Sequence, residues 1–143
     1  MQVTQISDKY NEFIIKDYNY WTLYIHENQC FLGRCYIVCK RDDAVDFFDM
    51  TNDEKEEFFN VGRKIKEVLI DLFHPDLFNY ASLGNIFTHL HLHVIPRYKK
   101  ERMFENIIFS DENWGKNYAP YNYDFKLDKD ILFKLRDKLK LVL

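Results

Sequence analysis

The sequence has few of the residues that interrupt secondary structure, with only 4 glycines and 3 prolines among 143 residues. It is also 47% hydrophobic, so enough apolar surface is available to offset the entropy lost on ordering the chain. These properties exclude collagen-like, low-complexity and disordered chains. The length suits one domain with its own core and is too short for two ordinary domains.

Neither sign of charge dominates, because the sequence has 20 Lys and Arg and 23 Asp and Glu, which gives a net charge of -3. No overall basic field is therefore available to hold a nucleic-acid polymer. No apolar run approaches the roughly 20 residues that a membrane span needs. The first ten residues, MQVTQISDKY, lack the apolar stretch of a signal peptide. We expect a cytoplasmic protein whose partners include neither nucleic-acid polymers nor membranes.

Cysteine is scarce too, and its spacing is uninformative about metals. The three cysteines include no Cys-x-x-Cys pair of the kind that structural zinc sites use. Cys35 and Cys39 lie in the apolar run CYIVC, where small buried thiols are common. This pattern favours core packing over a metal or redox role.

Hydrophobic periodicity predicts strands and helices in an order typical of an α+β fold. Thr51 and Glu54 form a capping box, and the apolar positions that follow repeat every three or four residues, which predicts a long helix ending near His74, before Pro75. A second amphipathic helix is predicted over residues 128–141. Strands are predicted over residues 13–15, 21–25, 33–39, 79–83 and 89–97. Because the strands do not alternate with helices, we expect an antiparallel sheet.

The most informative segment reads HLHLHVIPR, residues 89–97. Successive side chains of a strand point to opposite faces, so His89, His91 and His93 are predicted to share one face. Imidazole titrates near neutral pH and can serve as nucleophile, proton donor or phosphate ligand. Two alternatives stay open: a zinc site completed by a ligand from elsewhere, and a purely structural role that would need hydrogen-bond partners for three buried rings.

The same segment resembles the signature of the histidine triad (HIT) family, in which three histidines alternate with apolar residues. The similarity extends to GRCYIVCKR, to FFDMTNDEKEEFF and to NYASLGN, and covers roughly residues 10–100. The resemblance implies a five-stranded antiparallel sheet with one long helix, in a homodimer. Residues 101–143, beyond the region of similarity, would be a C-terminal extension of the single domain 1–143.

The resemblance also implies a reaction, hydrolysis or transfer at the α-phosphate of a nucleotide conjugate through a nucleotidyl-histidine intermediate. His91 would be the nucleophile, and the backbone carbonyl of His89 would orient it. His93 would hydrogen-bond the phosphate or the leaving oxygen. Asn79 matches a residue that contacts the phosphate or ribose, and Asn85 a polar residue near the active site. No metal or cofactor is implied.

Two further expectations follow from the resemblance. Family members hold the nucleobase between apolar side chains of the early strands, which makes Phe13, Ile15 and Leu23 candidates for base binding. Asp42 and Asp43 stand where many members have histidine, so these carboxylates would either point away from the phosphate or mark an altered activity. The predicted function is a nucleotide hydrolase, and the alternative is a nucleotide sensor with weak turnover.

Overall fold

The fold, a computed structural model, is described over residues 6–143. The first five residues, part of the segment on which the expected location rests, lie outside this range. Within it the α-helices are α1 (Asn52–Phe73) and α2 (Lys129–Leu141), and short 3₁₀ helices span Asp8–Phe13 and Phe47–Asp49. The strands are β1 (Ile14–Asp17), β2 (Trp21–Ile25), β3 (Cys35–Cys39), β4 (Leu77–Ala81), β5 (His91–Arg97), β6 (Arg102–Phe104) and β7 (Ile107–Phe109). In the described range, no helix is both long enough and apolar enough to cross a membrane.

Five of the strands form one sheet in the order β1-β2-β3-β5-β4, and each neighbouring pair is antiparallel. This arrangement, with α1 and α2, confirms the predicted α+β fold. In the central pair, Val38 lies opposite His91 and Tyr36 opposite His93. Directly opposed residues of an antiparallel pair point to the same face, so Tyr36 and His93 are neighbours on one side of the sheet.

Three strands begin later than the sequence predicts, β1 by one residue and β3 and β5 by two residues each, whereas β4 begins and ends two residues earlier. β5 begins at His91 because Leu90 keeps only half of its pairing with β3: its carbonyl accepts from the Cys39 N–H, but its N–H donates to the Ala44 carbonyl. β3 begins at Cys35 because Gly33 adopts a φ of +88°. A Cβ at Gly33 would lie 2.6 Å from a methyl carbon of Leu69, so α1 packs directly on this turn.

Helix α1 begins and ends as predicted. The Thr51 hydroxyl accepts from the Glu54 N–H at 3.1 Å, and the Glu54 carboxylate accepts from the Thr51 N–H at 2.9 Å. At the other end, His74 caps the helix in the left-handed conformation. The predicted apolar stripe is buried against the sheet, as its most enclosed members, Ile65 and Leu69, are fully inaccessible.

The residues after β5 form a hairpin from β6 and β7, an irregular segment over residues 111–123, and α2, which packs against β1. The irregular segment is held by Arg97. Its guanidinium bonds the Asp111 carboxylate at 2.7 Å and the Asn113 carbonyl at 2.8 Å, and both charged side chains are buried. It also donates to the Asn79 amide oxygen at 2.7 Å. Arg97 thus links β4 and β5 to the C-terminal segment.

Replacing Arg97 with Met should destabilise the protein strongly, because it leaves the buried Asp111 carboxylate without its cation. We expect the free energy of unfolding in denaturant to fall by about 3–5 kcal/mol, as when other buried ion pairs lose one partner. Lys129→Met, which breaks the exposed Lys129–Glu12 pair, is the matched control and should leave stability nearly unchanged. Equal effects of the two substitutions would contradict the role assigned to Arg97.

Candidate active site

A cavity of about 510 Å³ opens on the face of the sheet that carries His91 and His93. β5 and β3 provide its floor, and the N-terminal 3₁₀ helix with the residues just before it provides one wall. The residues that line it are Ile6, Ser7, Lys9, Tyr10, His26, Glu27, Tyr36, Phe87, His91 and His93.

The ring of His91 is held in one tautomer. Its Nδ1 lies 2.7 Å from the carbonyl oxygen of His89, and because a carbonyl can only accept, Nδ1 carries the proton. In the neutral ring the lone pair is therefore on Nε2. Burial lowers the pKa of His91, although the bond to the His89 carbonyl partly opposes that shift. The ring is thus neutral near pH 7, with a free nucleophilic nitrogen. Phe87 packs against it, with ring centroids 5.0 Å apart.

His89 lies outside the cavity and serves as support. It precedes β5, and its Nε2 donates to the carbonyl of Cys39 on β3. The strand that follows is held from its other side, since the Ser82 hydroxyl donates to the His91 carbonyl at 2.6 Å. The backbone around His91 is therefore held by β3 on one side and by Ser82, the residue that follows β4, on the other.

His93 and His26 extend the row of imidazoles beyond His91. The ring centroids of His91 and His93 are 5.0 Å apart, and those of His93 and His26 are 5.8 Å apart. Burial, with the charges of His91 and Arg34, lowers the pKa of His93 to about 3. The pKa of His26 is also well below its usual value, mainly because the ring is buried. Both rings are neutral near pH 7.

His26 was not identified from the sequence, which places it in a turn after β2. In the structure its N–H bonds the Arg34 carbonyl across the hairpin, so the β2–β3 ladder continues past Ile25. Residues two apart in a strand share a face, and Tyr24 stacks on Tyr36. The register of this hairpin, had it been known, would have placed His26 beside the triad.

The four residues predicted to bind substrate lie elsewhere. Leu23 is fully buried. It lies opposite Ile37, and Ile37 lies opposite Leu92, so Leu23 is on the face of the sheet that His91 does not occupy. Phe13 is buried in the core, as is Ile15, the third base-binding candidate. Asn79 is bonded to Arg97, and Asn85 is exposed on the loop before the triad. The predicted binding roles of these residues stay predictions.

The two acidic residues that depart from the family pattern lie outside the cavity lining. Asp42 and Asp43 are exposed, and the Asp43 carboxylate pairs with Arg41 at 2.8 Å. Arg41 also bonds the buried Glu54 carboxylate at 3.0 Å. Within residues 6–143, no group of three or more His, Cys, Asp or Glu side chains is arranged to hold a metal ion.

Comparison with known proteins places the fold among histidine triad proteins of known structure. A histidine triad protein from Marinobacter aquaeolei VT8 superposes with a TM-score of 0.79 at 17% identity, covering 99% of this chain and 96% of that one. A histidine triad protein from Bradyrhizobium japonicum gives 0.77 at 17% identity, covering 98% of each chain. A protein described as a hypothetical histidine triad nucleotide-binding protein from Sulfolobus tokodaii gives 0.68 at 12% identity, covering 91% and 82%.

No curated protein matches the sequence. At identities this low the structural matches establish the fold alone. The family model for the HIT domain, however, matches residues 10–100, which is well over half of the chain and includes all three histidines of the HLHLH segment. The protein belongs to the HIT domain family.

Proposed function

We propose that this protein is a nucleotide hydrolase that cleaves at the α-phosphate of a nucleotidyl conjugate through a covalent intermediate on His91. The observation that carries the proposal is the bond from His91 Nδ1–H to the His89 carbonyl, which leaves the lone pair of Nε2 free at a cavity. A positioned neutral imidazole is an effective nucleophile toward phosphorus.

The proposed reaction has two steps. His91 Nε2 attacks the α-phosphorus and forms a P–N bond, while the P–O or P–N bond to the leaving group breaks and its electron pair departs with that group. Water supplies the proton that the leaving group needs, because His93 is neutral near pH 7 and only donates a hydrogen bond to the leaving oxygen. Water then attacks the nucleotidyl-His91 intermediate, which releases the nucleoside monophosphate and regenerates the neutral ring. Imidazole N–H groups stabilise the charge that develops on the phosphate oxygens.

The cavity also offers a surface for the nucleobase. The rings of Tyr10, Tyr36 and Phe87 line it and supply flat apolar faces of the kind on which bases stack. These rings suit the base better than Phe13 and Leu23, which are enclosed in the core. A reducing, cytoplasmic setting is part of the same proposal and agrees with three cysteines that are all free thiols.

Replacing His91 with Ala should abolish release of monophosphate from diadenosine polyphosphates or adenosine phosphoramidate, because no other group takes the place of the nucleophile. We expect a loss of about a thousandfold or more in kcat, with nucleotide affinity largely retained. The control is His74→Asn, which changes an exposed histidine at the end of α1 and keeps a residue that tolerates its left-handed backbone. Full activity of the His91→Ala protein would refute the mechanism.

Intact-mass measurement of the wild-type protein during turnover separates hydrolase from sensor. A nucleotidyl adduct on His91 supports the hydrolase, whereas bound nucleotide with neither adduct nor product supports the sensor. Chelator added to the same assay tests the zinc alternative, since a zinc-dependent hydrolase would lose its activity.

The pH dependence of kcat/KM should reflect the lowered pKa of His91. The reaction needs the neutral ring, so activity is lost as pH falls through the pKa of the free enzyme's nucleophile. Because burial places that pKa below the ordinary 6.5, activity should persist as pH drops past 6.5 and disappear only at lower pH. Steady-state rates from pH 4 to 8, with NMR titration of the His91 ring, check this. An acid limb centred above 6.5 would contradict it.

We also propose that two copies of the chain associate through the outer edge of β4. In the described part of the chain, no strand pairs with that edge, which leaves a row of backbone donors and acceptors unpaired. Beside it, an apolar cavity of about 330 Å³ is lined by α1, β4 and β5. Phe59 of α1 and Tyr80 of β4 contribute to its lining although each is about half exposed, at 54% and 52%. In such a dimer, the backbone groups of the two β4 edges would pair with each other, and the half-exposed rings would be covered.

Phe59→Glu should therefore convert a dimer into a monomer, because it places a charge in the apolar contact. Light scattering coupled to size-exclusion chromatography measures the mass directly. Leu141→Glu changes an equally apolar exposed residue on α2 and serves as the control, for which the mass should not change. A wild-type protein that is monomeric at micromolar concentration would contradict this assembly.

A further inference from the structure

Arg34 is a buried cation whose charge is left unbalanced. Its side chain is 3% exposed, and among residues 6–143 no carboxylate forms an ion pair with it. Nη2 donates to the Tyr121 hydroxyl at 3.2 Å, and the guanidinium stacks 4.4 Å from the Tyr121 ring. Nε and Nη1 have no hydrogen-bond partner among the residues that the structure describes. Burying a charge without a counter-charge is costly, so a fold that keeps one indicates a partner supplied from outside.

The position of Arg34 identifies where that partner would lie. Its backbone carbonyl accepts from the His26 N–H, and it precedes Tyr36 by two residues, so the three residues share the face of the sheet that carries the cavity. Val38 lies opposite His91 and Tyr36 lies opposite His93. Arg34, two residues before Tyr36, therefore lies beyond His93 on the side away from His91. The guanidinium charge contributes to the lowered pKa of both His26 and His93, which agrees with the place of Arg34 next to His26 and beyond His93 on this face.

The two histidines in front of Arg34 also have unused hydrogen-bonding capacity. Nδ1 of His26 accepts from the Asn28 N–H at 3.0 Å, so in the neutral ring Nε2 carries a proton and is free to donate. Nδ1 of His93 is buried and has no hydrogen-bond partner within residues 6–143. Lys9 and Glu27 are the charged side chains lining the same cavity, and they offset each other. The charge of Arg34 is then left over, so the net charge beside His93 is positive and favours an anion.

We propose that Arg34, His26 and His93 form a subsite for a second phosphate group of the substrate, next to the α-phosphate position at His91. His26 donates a hydrogen bond to that phosphate, and Arg34 supplies the counter-charge from behind the rings, where the low dielectric strengthens the attraction. This inference rests on the proposed function and narrows it. The preferred substrates are nucleotidyl phosphoanhydrides, whose leaving group carries a phosphate, rather than phosphoramidates, whose leaving group carries none.

Binding of AMP and ADP tests the subsite, because the two ligands differ only in the second phosphate. Calorimetry in the His91→Ala background prevents turnover. ADP should bind more tightly than AMP, and Arg34→Met should weaken ADP by about tenfold or more while changing AMP by less than about twofold. Lys64→Met, which removes one positive charge from an exposed position on α1, is the control and should leave both affinities unchanged.

The melting temperature of the ligand-free protein distinguishes this role from a structural one. Removing an unbalanced buried charge should raise the melting temperature of Arg34→Met, whereas removing a structural arginine would lower it. His26→Phe keeps the ring and removes the donor, so it should also weaken ADP selectively. This second variant tests the subsite even where Arg34→Met fails to fold.

The outcomes separate the subsite from the proposed function. Equal affinities for AMP and ADP, or equal losses of both in the Arg34 and His26 variants, would overturn the subsite while nucleotide binding stands. Failure of the wild-type protein to bind either nucleotide would instead remove the proposed function. Inorganic pyrophosphate is then the probe: Arg34-dependent binding of pyrophosphate supports the subsite, and its absence overturns it.

Discussion

The hydrogen bond from His91 Nδ1 to the carbonyl of His89 is the interaction on which the site depends. It selects the tautomer that leaves the lone pair on Nε2, and it can do so only if the carbonyl itself cannot move. The fold meets that condition by tying the His89 side chain to the Cys39 carbonyl and the Leu90 backbone to Cys39 and Ala44. The positioning of the His91 ring thus depends on hydrogen bonds that tie the two residues before β5 to β3 and to Ala44.

Cys39 also connects the site to the start of α1. The Cys39 thiol donates to the Glu54 carboxylate at 3.3 Å, and that carboxylate caps the helix through Thr51 and pairs with Arg41. Glu54 is buried, so its charge relies on these three partners together. The helix cap and the strand residue that supports His89 therefore share one buried carboxylate. Glu54 does not line the cavity, and in the described residues it is linked to the site through Cys39.

Local patterns predicted the elements well, and the contacts between elements less well. Alternation placed His91 and His93 on one face correctly because both lie inside β5, and the capping box and apolar stripe defined α1. The expectation for His89 as a strand residue was wrong, since the Leu90 N–H donates to Ala44 and the Cys39 carbonyl accepts from the His89 ring, so β5 begins only at His91. The face that Leu23 occupies and the contribution of His26 both depend on strand register, which no local pattern encodes.

Arg97 and Arg34 show why burial alone does not distinguish support from function. Both arginines are almost fully buried beneath the segment 111–123. Arg97 has a carboxylate and carbonyls for its donors, so its charge is neutralised within the fold and contributes to stability. Arg34 has an aromatic face and one hydroxyl, which leave its charge largely unneutralised. Because an unneutralised buried charge opposes folding, Arg34 is better explained by a ligand than by the fold. The irregular C-terminal segment would then serve two purposes, anchoring itself through Arg97 and shielding Arg34 from water so that its attraction for an anion stays strong.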